Sequence, residues 1–190
     1  MRTLHTERLS LTPVTVRNAQ ALWQILQAPG LRHFQDLPSV SAVTFTAMVG
    51  KRPKRLDPRA VGRFEWLVIL KEEAVPAGWV SLRISDREPA IGEIGYSLLA
   101  EFRGRGIAAE AVRALITESF REAQLRAVRA YCVPENTESR RLLERIGFEP
   151  DGVLPHGASV NGQPVDVLAH AIARARWGQS GKTMEMPASV

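Results

Sequence analysis

A glycine-rich segment, GRGIA at residues 104–108, stands between a strand-like run and a helix-like run of this chain. The apolar residues of 90–100 predict a buried strand before it, and the period of 107–121 predicts a helix after it. One face of that helix carries Val112, Leu115, Ile116 and Phe120. Because the first N–H groups of a helix have no intrahelical acceptors, a glycine turn leading into a helix favours an anion site. The sequence therefore predicts a strand, an anion-binding turn and a helix in direct succession.

The elements on either side of this segment predict a mixed α/β layer. Before it come a strand at 7–13, a helix within 15–29, a short helix at 41–49 and two strands, 64–70 and 77–85, that form a meander with 90–100. After it come a strand at 126–134, a helix from Asn136 to Gly147 and a strand pair around the Asn161-Gly162 turn. We expect a mixed, mostly antiparallel sheet of about six to seven strands flanked by helices. We expect these elements to form a single domain over residues 1–176, followed by a flexible C-terminal tail at 177–190.

Composition excludes several classes of protein. The 190 residues contain one cysteine, Cys132, which excludes an internal disulfide and a cysteine-based metal site. No apolar run is long enough for a membrane span and the N-terminus lacks a secretory signal, so we expect a cytoplasmic protein. The histidines show no spacing typical of metal ligands, and we expect no metal. They are His5, His33, His156 and His170.

The net charge of +5 is partly local. Residues 50–63 hold six Lys and Arg side chains against one Asp. A solvated loop is the simpler interpretation, and contact with nucleic acid or an acidic ligand is the alternative. No aromatic residue is interleaved with these charges, so base stacking is not indicated.

Two nucleotide-binding interpretations of the glycines fit poorly. A triphosphate-binding loop needs Gly-x-x-x-x-Gly-Lys-Ser/Thr; at Gly181-Lys182-Thr183 the first glycine position is Arg176, and seven residues after Thr183 leave no room for a helix. The dinucleotide motif G-x-G-x-x-A is present at 104–109. However, the strand before it closes a meander, and the rest of the chain is too short for a second βαβ half. A dinucleotide-binding domain therefore remains only as an alternative.

If the motif is taken to start at Arg103 instead of Gly104, residues 103–108 have the pattern R-x-x-G-x-A. A second motif follows at 133–154, with the sequence VPENTESRRLLERIGFEPDGVL. Both segments resemble motifs of the GCN5-related N-acetyltransferases, the GNAT family. The opening TERLSLTP and the closing hairpin resemble the subgroup of ribosomal-protein alanine acetyltransferases, RimJ/RimL-like. The resemblance spans roughly residues 3–176, and it implies the mixed sheet described above.

The resemblance implies that acetyl-CoA is the donor cosubstrate. Its pyrophosphate would lie at the glycine turn, and its pantetheine arm would pair with free backbone groups of the strand before the turn. A mild departure is Ala100, where the family often has Pro. The cofactor-binding residues implied in this way are Leu98, Leu99, Arg103, Gly104, Arg105, Gly106, Ala108 and Asn136.

For catalysis we expect direct attack of a neutral amine on the thioester in a ternary complex. Glu93 is the best candidate for the general base, because its apolar neighbours suggest burial that would raise its pKa. Asp151 and His156 are weaker candidates. Many relatives have a Tyr acid in the helix that ends at Gly-Phe, but this chain has Leu143 there.

The subgroup resemblance points instead to Ser139 as a hydrogen-bond donor to the CoA sulfur. Tyr96 is interpreted as a packing residue of the sheet, and the alternative is that its hydroxyl faces the acceptor. Cys132 is interpreted as a core residue with no neighbouring base for a covalent route. The acceptor is a primary amine, either a protein N-terminus or a small molecule. A homodimer is compatible with the sequence, and nucleic acid is a poor fit as partner. The alternatives to an enzyme are an acetyl-CoA sensor, or a dinucleotide- or nucleic-acid-binding domain.

Overall fold

The structure, a computed structural model, describes residues 1–180 and contains one eight-stranded sheet. The strands are β1 (Leu4–His5), β2 (Leu9–Pro13), β3 (Gly62–Leu70), β4 (Pro76–Ile84), β5 (Ile91–Leu98), β6 (Ala127–Cys132), β7 (Glu149–Val160) and β8 (Gln163–Ala173). The helices are α1 (Ala19–Leu26), α2 (Ala42–Gly50), α3 (Ile107–Glu122), α4 (Thr137–Ile146) and α5 (Arg174–Ser180), with a single 3-10 turn at Ala100–Phe102. This confirms the expected mixed α/β class.

The sheet has the order β1-β2-β3-β4-β5-β6-β8-β7, and β5–β6 is its one parallel pair among residues 1–180. A parallel pair needs a crossover, which α3 supplies. The sheet has eight strands instead of six or seven because Leu4 and His5 pair with β2 at the edge. Two residues are too few to show a period in sequence.

The sheet packs on both faces. On one face, β3 to β6 bury Phe64, Leu82 and Val128 against α3. The four apolar residues that the helical period placed on one face of α3 are all buried, as expected: Val112, Leu115, Ile116 and Phe120. On the other face, Leu67 and Trp79 pack against α1 and α2. The second face is covered at one end only, which leaves room for a cavity.

The described part of the chain ends in a helix, and the flexible C-terminal tail stays a prediction. Helix α5 runs to Ser180, so the first four residues of the predicted tail, 177–180, are helical. Residues 181–190, including the GKT triplet, lie outside the described residues. Along residues 1–180, the helices are all too short or too polar to span a membrane.

Gly78 sets the distance between β4 and β5. It lies opposite Leu98, and an added Cβ would overlap the Ser97 carbonyl oxygen and come within 2.9 Å of Leu98 Cα. These are backbone atoms, which cannot rotate away. Gly78 therefore determines the position of the last residues of β5.

We predict that Gly78→Ala lowers the free energy of unfolding by about 3 kcal/mol, because the new methyl group forces the strands apart. Denaturant unfolding measures this loss. The matched control is Gly178→Ala in α5, where an added Cβ meets nothing within 4 Å. That variant should be unchanged or stabilised by up to about 1 kcal/mol. Equal stability of the two variants would contradict the assigned packing.

Candidate active site

Strands β5 and β6 separate halfway along their length. Their pairing runs from Ile91–Ala127 to Ile94–Ala130 and then stops. Beyond this point β5 stays paired with β4 as far as Leu98, while β6 stays paired with β8 as far as Cys132. The second half of β5 is therefore a free sheet edge inside the protein.

A cavity of about 1070 Å³ lies at this opening. We call one side of it the helix end, formed by Arg103, Gly104, Gly106 and the start of α3. The other side, which we call the sheet end, is formed by Gln35, Arg63, Arg83, Glu93 and Tyr131. Because residues of both ends line the same cavity, a ligand in it can contact the helix end and the sheet end.

The helix end is an anion site built from backbone. Gly104 and Gly106 have φ values of 71° and 76°, the left-handed region that favours glycine. Gly106 is the N-cap of the 16-residue α3 and has no capping side chain. The N–H groups of the first α3 turn, which includes Ala108, lie beyond the reach of intrahelical acceptors and point at the cavity end. This geometry suits a pyrophosphate.

The two arginines of the turn have different positions. Arg103 lines the cavity, and its Nε donates to the Leu98 carbonyl oxygen at 3.2 Å. Arg105 lies away from it, 3.5 Å from Glu73, with its guanidinium over the Phe102 ring. The Arg105 side chain is thus not part of the cavity wall, and its role in binding the ligand stays a prediction. The side chain lies by Glu73 on the β3–β4 turn, a pairing that no local sequence pattern shows.

Three further arginines of the helix end were missed in the sequence. The residues Arg113, Arg141 and Arg145 line the cavity from α3 and α4. Arg113 and Arg145 are held together because Arg113 Nη2 donates to the Arg145 carbonyl oxygen at 2.9 Å. In sequence they are ordinary exposed helix cations, and only the packing of α4 beside α3 brings them to one site.

Of the two leucines at the end of β5, only Leu98 has its backbone N–H on the free strand edge. The Leu99 N–H donates to the Ala77 carbonyl oxygen at 2.9 Å, and the Leu99 carbonyl oxygen accepts from the Phe102 N–H at 3.1 Å. Both groups of Leu99 are engaged, which corrects the expectation that they are free. Because successive residues of a strand point to opposite edges, the Leu98 N–H faces the opening.

Asn136 and Ser139 form the start of α4 at the cavity wall. The Asn136 side chain accepts from the Ser139 N–H at 3.0 Å, so Asn136 caps the helix as expected. The Ser139 hydroxyl lies 2.6 Å from the Tyr96 hydroxyl. Burial raises the pKa of Tyr96 to about 12, although the hydrogen bond with Ser139 acts in the opposite direction.

Tyr96 was expected mainly to pack in the sheet, but its hydroxyl is paired with Ser139 at the cavity. The family's helix tyrosine is replaced by Leu143, which is fully buried in the core. A tyrosine from β5 instead supplies a hydroxyl beside α4. The sequence signal for this pair is weak, because 43 residues separate its members.

Cys132 also lines the cavity, at the end of β6. It is buried, and burial raises the pKa of its thiol above the ordinary value. A protonated thiol is a poor nucleophile. The position is that of a core residue at the cavity wall, as expected.

The structure does not bury Glu93 as the sequence suggested. Its side chain is 46% exposed and lies 3.9 Å from Arg83 Nη1. It nevertheless lines the sheet end, whereas Asp151 and His156 do not line the cavity. Asp151 pairs with Arg129 at 3.0 Å, and His156 lies 3.9 Å from Asp166. Glu93 is the carboxylate that the described residues bring to the sheet end.

A hydrogen-bonded clamp lies next to the sheet end. Asp36, in the loop after α1, accepts from the Ser159 hydroxyl at 2.6 Å and from the N–H groups of Asn161 and Gly162 at 2.9 and 3.1 Å. These bonds, chiefly the one from Ser159, lower the pKa of Asp36. The clamp joins this loop, which includes Gln35 of the cavity wall, to the β7–β8 turn, a contact across more than 120 residues that sequence reasoning missed.

The described residues do not bring a set of metal ligands together in this site. No group of three or more His, Cys, Asp or Glu side chains within residues 1–180 is arranged to hold a metal ion. The absence of a metal stays a prediction.

The comparisons with known proteins agree with this geometry. Residues 8–149 match the acetyltransferase (GNAT) domain family. The N-acetyltransferase p20 of Bacillus licheniformis is 29% identical over 178 residues, covering 93% of this chain and 99% of that protein. The ribosomal protein uS5-alanine N-acetyltransferase of Escherichia coli K12 is 31% identical over 84 residues, 44% of this chain and 43% of that protein. A structure of RimL, described as a ribosomal L7/L12 alpha-N-protein acetyltransferase in complex with CoA, has a TM-score of 0.78 at 23% identity, covering 92% of this chain and 99% of that one.

A split sheet with an anion site at the start of a helix defines an enzyme that binds an acyl-CoA. The chain belongs to the GNAT acetyltransferase family. It is an N-acetyltransferase that uses acetyl-CoA as donor and an amine as acceptor, and the resemblance to the RimJ/RimL-like subgroup is confirmed. The alternatives of a sensor, a dinucleotide-binding domain and a nucleic-acid-binding domain are not favoured.

We predict that Gly106→Ala weakens the binding of acetyl-CoA at least about tenfold, because a Cβ in the left-handed N-cap redirects the N–H groups of α3. Calorimetric titration measures the Kd. The control is Gly162→Ala in the β7–β8 turn, whose φ of 74° gives the same backbone strain away from the helix end. Both variants should melt a few degrees lower, and only Gly106→Ala should lose affinity. Unchanged affinity in Gly106→Ala would contradict the position of the anion site.

Proposed function

We propose that this acetyltransferase acts on the α-amine of a protein N-terminus by direct attack on the thioester. The observation that carries the proposal is that one cavity joins an anion site, a hydroxyl pair and a carboxylate across the opening between β5 and β6. The subgroup of the relatives supports a protein N-terminus as acceptor, and a small-molecule amine is the alternative. A homodimer, a cytoplasmic location and the lack of nucleic-acid binding stay predictions.

The helix end holds the donor in this proposal. The N–H groups at the start of α3 and the guanidinium of Arg103 bind the pyrophosphate. The Leu98 N–H pairs with the pantetheine arm, as a neighbouring strand would. Asn136 contacts the same arm while it caps α4. These contacts place the thioester next to Tyr96 and Ser139.

In this proposal the sheet end binds the amine and removes its proton. Attack needs a neutral amine, and an α-amine titrates at roughly 8. Glu93 accepts the proton, directly or through one water, since its carboxylate is half exposed at the cavity. The nitrogen then forms a bond to the acetyl carbon as the carbon–sulfur bond breaks. The buried, protonated thiol of Cys132 takes no part in this transfer.

The Tyr96–Ser139 pair stabilises the sulfur as it becomes a thiolate. Tyr96, with a pKa of about 12, holds its proton roughly three orders of magnitude more tightly than a thiol of ordinary pKa, roughly 8.5. Full proton transfer from Tyr96 to sulfur is therefore unfavourable. The two hydroxyls act as hydrogen-bond donors, and the proton released from the amine finally neutralises the thiolate.

We predict that Tyr96→Phe and Ser139→Ala each lower kcat by about 10- to 100-fold, with little change in KM for acetyl-CoA, because each removes stabilisation made in the transition state. The assay follows CoA release with an N-terminal peptide. Thr137→Ala is the control, since Thr137 is exposed on the same helical turn and does not line the cavity. The double variant should lose less than the product of the single losses, because the hydroxyls bond each other. Wild-type kcat in both single variants would contradict the proposal.

The pH profile gives a further check on Tyr96. A pKa raised to about 12 means that the donating form persists as the pH rises, and is lost only above the ordinary range of tyrosine. Wild type and Tyr96→Phe should therefore show profiles of the same shape between about pH 6 and 10. A falling limb near pH 10 that is present only in the wild type would show that Tyr96 titrates normally, against the proposal.

A further inference from the structure

Four charged side chains form a row across the sheet at the sheet end. Arg63 on β3 is paired with Arg83 on β4, Arg83 with Glu93 on β5, and Glu93 with Arg129 on β6. Residues directly opposite each other in neighbouring strands lie on the same face. Three of the four line the cavity, and Arg129 does not.

The members of this row differ in how far they are already paired. Arg129 lies 3.1 Å from Glu88 and 3.0 Å from Asp151. Arg63 donates to Glu65 at 2.8 Å, and its guanidinium lies over the Trp79 ring. Within residues 1–180, Arg83 makes one ion pair, which joins it to Glu93 over a long distance of 3.9 Å.

Most N–H donors of the Arg83 guanidinium are therefore available to a ligand. A guanidinium carries five N–H donors in a fixed fork that matches a carboxylate or another oxyanion. The side chain of Arg83 is 63% exposed and reaches the cavity, so a ligand in the cavity can contact it. Arg63 is less free but lies directly beside it on the next strand.

The balance of charge at the sheet end is positive. Two arginines and one glutamate line it, and Arg52 pairs with Glu65 behind Arg63. Burial lowers the pKa of Arg63, the carboxylate of Glu93 acts in the opposite direction, and the neighbouring charge of Arg83 lowers this pKa to a smaller extent. An anion placed against the two guanidinium groups reduces the repulsion between them, whereas a second cation increases it.

We infer that the acceptor carries a carboxylate or another oxyanion close to its amine, that Arg83, assisted by Arg63, binds this anion, and that Glu93 receives the amine. The inference rests on the proposed function, because it takes the sheet end as the acceptor side. The short distance between Arg83 and Glu93, 3.9 Å, requires that the two groups of the ligand lie within about one or two residues of each other. Two sources fit: an acidic side chain at the start of a peptide, or the α-carboxylate of a free amino acid. Polyamines and other polycations are disfavoured.

The test measures acceptor binding to the enzyme–CoA complex by calorimetry, so that it does not depend on turnover. The peptide probes are Ser-Asp-Ala, Ser-Asn-Ala and Ser-Lys-Ala, all amidated at the C-terminus, and the small probes are serine and serinamide. In one of the two sets the anionic probe should bind about 10- to 100-fold more tightly than its neutral partner. The set that shows this difference identifies the source of the anion.

Three variants assign the preference to Arg83. In Arg83→Gln the advantage of the anionic probe should disappear, and in Arg83→Glu the lysine peptide should bind better than the aspartate peptide. The control is Arg87→Gln, on the turn between β4 and β5 and away from the cavity, which should keep the wild-type preference. Thermal shifts with acetyl-CoA should be the same in all of them, which shows that the helix end is intact.

Several results would overturn the inference. These are equal affinity of anionic and neutral probes for the wild-type complex, no binding of any probe, or a preference that persists in both Arg83 variants. CoA release is measured separately with the same probes. Anion-selective binding without CoA release would contradict the proposed function and still support the anion site, so the two failures are distinguishable.

Discussion

The site depends on the point where the parallel strands β5 and β6 come apart. Strands β5 and β6 pair as far as Ile94 and Ala130, and each then follows its other neighbour. A free strand edge offers backbone groups with which a ligand can pair, although the Leu98 carbonyl oxygen already accepts from Arg103 Nε. The split therefore creates both the cavity and an edge that suits an extended polar ligand, such as the pantetheine arm of acetyl-CoA.

The two ends of the cavity acquire their chemistry from this split. At the helix end, α3 must cross over to start β6, so its N-terminus comes to lie beside the end of β5. At the sheet end, the strands still run side by side, and their cross-strand neighbours bring Arg63, Arg83 and Glu93 into one row. Between the ends, Tyr96 from β5 meets Ser139 from α4 at 2.6 Å. In the proposed function, donor, leaving group and amine therefore have separate positions in one cavity.

Local patterns predicted a large part of this structure. The glycines of the turn, the Asn136 cap and the buried face of α3 depend on backbone conformation and on helical period, which are visible in short segments. The Asn161-Gly162 turn is of the same kind, with φ values of 53° and 74°. Two separate motifs with the right spacing also made the family resemblance specific.

The parts that the sequence did not predict depend on which distant residues meet. The exposure of Glu93, the pairing of Arg105 with Glu73 and the engagement of Leu99 with Ala77 are set by packing and register. Hydrogen bonds between remote segments, such as Tyr96 with Ser139, leave no periodic signal in the sequence. The direction in which a backbone N–H points is a further example. Leu98 and Leu99 look alike in sequence, yet their N–H groups face opposite edges of the strand.

Amide hydrogen exchange at Leu98 and Leu99, followed by NMR with and without acetyl-CoA, tests the central claim most directly. The Leu98 N–H faces the opening, so its exchange should slow markedly when acetyl-CoA binds. The Leu99 N–H already donates to Ala77 and should change little. Protection of Leu98 alone would place the ligand along the free edge of β5. Unchanged exchange at Leu98 in the saturated complex would contradict the account.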